Sequence, residues 1–91
     1  MAPEKITAKM MNELFELLAS VDNADDMELL FDDLCTNNEI EQMTQRLMAA
    51  KLLLQGKTYN QVIEATDISS ATLSRVSSCV KYGKGYKKFI K

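Results

Sequence analysis

The sequence contains no histidine and only two cysteines, Cys35 and Cys79. So few nitrogen and sulfur ligands cannot furnish an ordinary zinc site, and neither a metal nor another cofactor is expected. The two thiols suit free, buried side chains of a cytoplasmic protein, and no thiolate-stabilising motif beside them indicates redox sensing. A Gly-rich phosphate loop is absent, as is any nucleophile–base pair at a recognisable spacing, so the chain is not expected to be an enzyme. Long apolar runs are missing as well. The longest, Leu47-Met48-Ala49-Ala50, is far short of a membrane-spanning helix, so no membrane partner is expected. The first residues, Met-Ala-Pro-Glu-Lys, lack the apolar stretch of a signal peptide. An excess of basic residues is missing too: 11 Lys+Arg stand against 13 Asp+Glu, a net charge of −2. Taken alone, that balance argues against a nucleic-acid binder.

The mean charge conceals a division. Residues 1–45 hold two basic residues and eleven acids, a balance of −9, whereas residues 46–91 hold nine basic residues and two acids, a balance of +7. From Ile68 onward there are six basic residues and no acid. Such asymmetry suggests that one half meets a polyanion. With 91 residues, 46% hydrophobic and 26% charged, the chain fits one small globular domain, neither disordered nor membrane-embedded. A domain of this size buries only about 60–65% of its unfolded surface, so association with a second copy would help it.

What is present is helical throughout. Met10, Leu14, Leu17, Leu18 and Val21 recur at spacings of three and four, which predicts an amphipathic helix near residues 7–21. Asp22, Asn23, Asp25 and Asp26 interrupt that pattern and supply caps for a short helix carrying Met27, Leu30, Phe31 and Leu34. Thr36-Asn37-Asn38-Glu39 fits a capping box, opening a long helix over residues 39–55 that stops at Gly56. Thr58 or Asn60 then caps a shorter helix with Val62, Ile63 and Ala65. Ser69 or Ser70 caps another that runs to about Tyr82, with Gly83 and Gly85 ending it. The tail Tyr86-Lys87-Lys88-Phe89-Ile90 has the apolar residues to begin a further helix. No strand pattern, repeat or low-complexity linker is visible. The five methionines Met10, Met11, Met27, Met43 and Met48 read as core filling.

Residues 58–76 read as a helix-turn-helix. Val62 and Ile63 supply the inner face of its first helix, Asp67 a turn residue that tolerates left-handed geometry, and Ile68 a corner plug. Leu73, Val76 and Val80 form the inner stripe of the second helix, which leaves Ala71, Thr72, Ser74, Arg75 and Ser78 as its outer face. Small residues at a helix N-terminus allow close approach to a major groove, and the free amides there can bind phosphate. Thr72 can offer a hydroxyl and a methyl, and Arg75 can reach guanine or hold a phosphate. Lys81, Lys84, Lys87 and Lys88 would extend the phosphate contacts. Tyr82 and Tyr86 either touch the nucleic-acid backbone or pack the tail onto the body.

The order Leu34-x-Thr36-x-x-Glu39, Arg46, Leu53-Leu54-Gln55-Gly56 and Ala71-Thr72-Leu73-Ser74-Arg75 resembles the Trp repressor family, within it the YerC/YecD-type proteins. The resemblance covers residues 30–82. It implies an all-α helical bundle with a helix-turn-helix, an intertwined homodimer and a double-stranded DNA operator as partner. Carried over by position, the DNA contacts fall on Ser70, Ala71, Thr72 and Arg75, with Tyr59 and Asn60 in the preceding helix. With the neighbouring polar and basic residues, the candidate interface is Tyr59, Asn60, Ser69, Ser70, Ala71, Thr72, Ser74, Arg75, Ser78, Lys81 and Lys84. The family's tryptophan pocket would map onto Thr36, Arg46, Arg75 and Cys79. Val76, however, stands where Trp repressor itself has Gly and the indole needs that space, and Thr44 replaces a second Gly in the central helix. Tryptophan is therefore not expected as a ligand, and Arg46 is expected to pair with an acid such as Glu39 or Glu41.

The expected organisation is one helical domain over residues 1–91. Dimerisation helices occupy 7–57, the helix-turn-helix 58–82 and a basic tail 83–91. The expected function is a cytoplasmic transcriptional repressor reading DNA through the major groove. A protein–protein adaptor built on a helix-turn-helix scaffold, and an amino-acid-gated repressor, are the alternatives.

Overall fold

The computed structural model describes residues 5–90, and the expectations that fall on residues 1–4 and on Lys91 lie outside them. Six α-helices follow one another: α1 Ala8–Ser20, α2 Ala24–Leu34, α3 Asn37–Leu54, α4 Tyr59–Thr66, α5 Ser70–Tyr82 and α6 Gly85–Phe89. The chain divides into two compact units, with the boundary in sequence between Thr36 and Asn37. The boundary assigns α3 to the unit of the helix-turn-helix.

In the first unit, local chemistry sets both helix starts. The Thr7 hydroxyl accepts from the Met10 amide at 3.1 Å and caps α1. The Asn23 Oδ1 accepts from the Asp26 amide at 2.8 Å and caps α2, whose first turn carries Asp25 and Asp26 where the helix dipole favours acids. Neither helix contains a buried residue. Met10, Leu14, Leu17 and Leu34 are 48%, 36%, 48% and 47% exposed, so the apolar positions that predicted these helices stay partly uncovered.

The second unit holds the core. Ala49 and Ala50 of α3, Val62 of α4, Ile68 of the following turn, and Leu73 and Val76 of α5 are buried together, with Leu52, Leu53, Ile63, Val80, Tyr86 and Ile90 packed around them. The two alanines let α3 approach closely, and α4 and α5 both pack against it. α3 starts directly after Thr36 and ends in a Schellman motif: Gly56 is left-handed at φ 87°, its amide donates to Leu53 O and the Lys57 amide to Leu52 O, each at 3.0 Å.

Three expectations are corrected. Gly85 does not end α5; Gly83 does, and Gly85 is the first residue of a new helix, α6. Tyr86 and Ile90 supply the apolar contacts that hold α6 against the core, and the Lys87 ammonium donates to the Lys81 carbonyl at the end of α5 at 3.0 Å. The five methionines are not core filling in the single chain: Met10, Met11 and Met48 are 48%, 45% and 41% exposed, and Met27 and Met43 only half-buried. The two cysteines are free but half-buried rather than buried.

Candidate nucleic-acid interface

The helix-turn-helix is assembled from caps and one strained turn. Thr58, not Asn60, caps α4: its hydroxyl accepts from the Gln61 amide at 3.2 Å, while the Thr58 amide donates to Gln61 Oε1 at 2.9 Å, completing a capping box. Gln61 as the reciprocal partner was not foreseen, although its spacing from Thr58 is the signal. At the other end, the Thr66 hydroxyl donates to Val62 O at 2.7 Å and accepts from the Ile68 amide at 3.3 Å. Asp67 sits in the left-handed region, φ 58° and ψ 24°, and its amide donates to Ile63 O at 2.8 Å. A single left-handed residue turns the chain sharply, and Asp adopts it at less cost than most residues. Ile68 then enters the core, 2% exposed.

Ser69, not Ser70, caps α5 by accepting from the Thr72 amide at 3.2 Å. Leu73 and Val76 are buried and Val80 half-buried, so one face of α5 is anchored. The opposite face presents Ser70, Ala71, Ser74, Arg75, Ser78 and Lys81 to solvent. Tyr59, Asn60 and Ser69 are exposed too, as is Lys84 just beyond α5. Thr72 departs from the expected outer face: it is half-buried on the flank of α5, beside a concavity of about 330 Å³ lined by Gln42, Gln45, Arg46, Asp67, Ser69 and Thr72. Gln42 and Gln45 were not singled out from sequence. Their i, i+3, i+4 placement with Arg46 on one strip of α3 is the signal that could have found them. Tyr82 is 82% exposed and does not fasten the tail, whereas Tyr86 does.

The four residues of the candidate ligand pocket do not line one cavity. Arg46 borders the concavity just described. Cys79 borders another, of about 460 Å³, with Leu47, Tyr86 and Phe89. Arg75 is exposed on α5 and Thr36 is the last residue of the first unit. Val76 is 1% exposed and part of the core. Among the described residues, no group of three or more Cys, Asp or Glu side chains is placed to hold a metal ion. No helix among them is long and apolar enough to cross a membrane.

Comparison with known proteins agrees with this architecture. The sequence profile of the family described as Trp repressor protein matches residues 9–91. YerC of Bacillus subtilis (strain 168), itself uncharacterized, is 40% identical over 80 residues, which cover 88% of this chain and 77% of that protein. A Staphylococcus aureus protein named provisionally as a Trp repressor superposes with a TM-score of 0.88 at 36% identity, covering 99% of this chain and 91% of the other. A TrpR-like protein from Eubacterium eligens ATCC 27750 gives 0.86, also at 36% identity, over 91% and 87% of the two chains. All-helical, built around a capped helix-turn-helix and alike in sequence along nearly its whole length, the chain belongs to the Trp repressor family, as a YerC-type member.

Proposed function

We propose that this protein is a dimeric, sequence-specific DNA-binding regulator that represses transcription by occupying promoter DNA. The observation that carries this reading is the anatomy of α5. Its inner face is anchored by buried Leu73 and Val76, while Ser70, Ala71, Ser74 and Arg75 stand exposed on the other side. A helix so held presents small side chains and one long cation to a major groove. The charge division supports it, since no acid occurs from Ile68 to the end of the sequence. Lys81 and Lys84 add phosphate contacts, Tyr59 and Asn60 contacts from α4, and Thr72 and Arg75 sequence preference.

Dimerisation is the second part of the proposal. Helices with a clear apolar pattern and no buried residue need a partner surface, and a second copy offers the same pattern. Two recognition helices would then enter successive major grooves about 34 Å apart. Tryptophan is not proposed as corepressor, because a core valine, Val76, fills the position where Trp repressor itself has glycine. The proposed location is the cytoplasm.

The test is binding to random duplex DNA across a salt series, followed by selection of bound sites. A steep negative dependence of log affinity on log salt, with enrichment of a palindromic site, is expected. A flat salt response would sink the DNA reading and favour the protein–protein adaptor. Sedimentation at micromolar concentration tests the dimer: a monomer there, with the fold intact, refutes it.

A further inference from the structure

Threonines within the helices of this chain do not all use their hydroxyls alike. Thr44 and Thr66, both inside helices, donate their protons to carbonyls four residues back, Ile40 O at 2.8 Å and Val62 O at 2.7 Å. This is the common fate of a helical threonine, and it takes the hydroxyl proton out of play. Thr72 does not follow it. Its oxygen accepts the Ser69 hydroxyl proton at 2.9 Å, while the same Ser69 oxygen accepts from the Thr72 amide at 3.2 Å. Ser69 is thus both the cap of α5 and a donor to Thr72.

A hydroxyl has one proton and two lone pairs. With one lone pair of Thr72 Oγ1 engaged by Ser69, its proton is directed away from Ser69. Threonine on a helix divides between two rotamers, one of which bonds the preceding turn. The Ser69 contact holds the Thr72 hydroxyl on the side of the N-cap.

We infer that Ser69 is a positioning residue that holds the Thr72 hydroxyl in place for a hydrogen bond to a base edge. This rests on the DNA-binding reading above and deepens it. Guanine N7 and O6, adenine N7 and thymine O4 are acceptors in the major groove, whereas cytosine presents a donor. The Thr72 hydroxyl keeps its proton and one lone pair, so it can donate to such an acceptor or accept from cytosine N4.

The cap of α2 suggests a rescue variant. There Asn23 Oδ1 accepts from the Asp26 amide at 2.8 Å while Asn23 Nδ2 donates to Asp26 Oδ2 at 2.9 Å. An asparagine cap can therefore accept from the amide and donate to the side chain three residues on, as Ser69 does. Glycine at a cap keeps most of the helix stability but carries neither group.

The experiment selects a best-bound duplex with wild-type protein and measures relative affinity for the four bases at each position. It repeats this with Ser69→Gly, Ser69→Asn and Thr72→Val, monitoring helical circular dichroism throughout. Ser69→Gly and Thr72→Val should flatten the preference at the same base pair of each half-site by about 3- to 10-fold, the worth of one hydrogen bond. Ser69→Asn should restore it. If Ser69→Gly lowers affinity equally for all duplexes, as a pure cap or phosphate contact would, the inference fails while the DNA reading stands. Failure of folded Ser69→Asn to restore the preference also overturns it. If wild-type protein binds no duplex, the DNA reading fails and takes this inference with it.

Discussion

The side-chain amide of Gln45 donates to the backbone carbonyl of Thr66 at 3.2 Å, joining α3 to the last residue of α4 across 21 positions of sequence. That carbonyl belongs to the last turn of α4, where the helix leaves its own acceptors without partners. Gln45 thus holds the turn of the helix-turn-helix against the helix that carries it. Replacing it with leucine leaves a half-buried carbonyl unpaired, which costs about 1–2 kcal/mol. Urea titration of Gln45→Leu and wild type at equal protein concentration should show the lower midpoint, and coincident curves would refute this role.

Asp67 is the only non-glycine residue with positive φ among the described residues. A β-branched residue meets more strain there than Asp, so Asp67→Val should lose about 1–2 kcal/mol. Asp67→Gly relieves the strain at some cost in unfolded-chain entropy, and should lie within ~1 kcal/mol of wild type. The melting temperatures of the two variants should therefore separate in that order. Removing the acid also takes a negative charge from beside Ser69 and Thr72, so Asp67→Gly should bind duplex DNA more tightly at low salt.

Arg75 is exposed and serves no role in the core. Arg75→Ala should leave the melting curve unchanged while weakening binding to the selected site by about 1–3 kcal/mol and relaxing base choice at one position. A variant that binds that site as wild type does would show that α5 is not the reading element.

Val76 completes the core beneath α5. Calorimetry of wild type with free tryptophan should register no binding heat. Val76→Gly removes a buried side chain and adds a helix-weakening glycine, for a loss of about 3 kcal/mol. If it stays folded, a gain of tryptophan binding would show that Val76 alone closes the pocket, whereas the separation of Arg46 and Cys79 predicts no gain. Uptake of tryptophan by wild type would show that Val76 is no obstacle.

Features read from local chemistry reappear closely. The cap at Asn23, one of the four polar residues expected to supply it, the stop at Gly56 and the left-handed turn at Asp67 depend on a few adjacent residues, whose hydrogen-bonding groups and φ preferences are written in order along the chain. The inner stripe of α5 was legible for the same reason, as periodicity of 3.6 needs only the residue types. The all-α class and the placement of a helix-turn-helix over 58–82 followed from these together.

Other features waited on the packed molecule. Neighbouring side-chain acceptors made Thr58 or Asn60, and Ser69 or Ser70, equal candidates as caps; packing of Val62 and Ile68 into one core set the helix phase that chose Thr58 and Ser69. The existence of α6 depended on Tyr86 and Ile90 finding the core, since five residues cannot sustain a helix alone. The dispersal of Arg46 and Cys79 into separate concavities, the turn of Thr72 onto the flank of α5, and the reach of Gln45 to Thr66 are distances between elements. Residue order determines which helices form and where they start. Which of their side chains meet is determined by how those helices close on a shared apolar core.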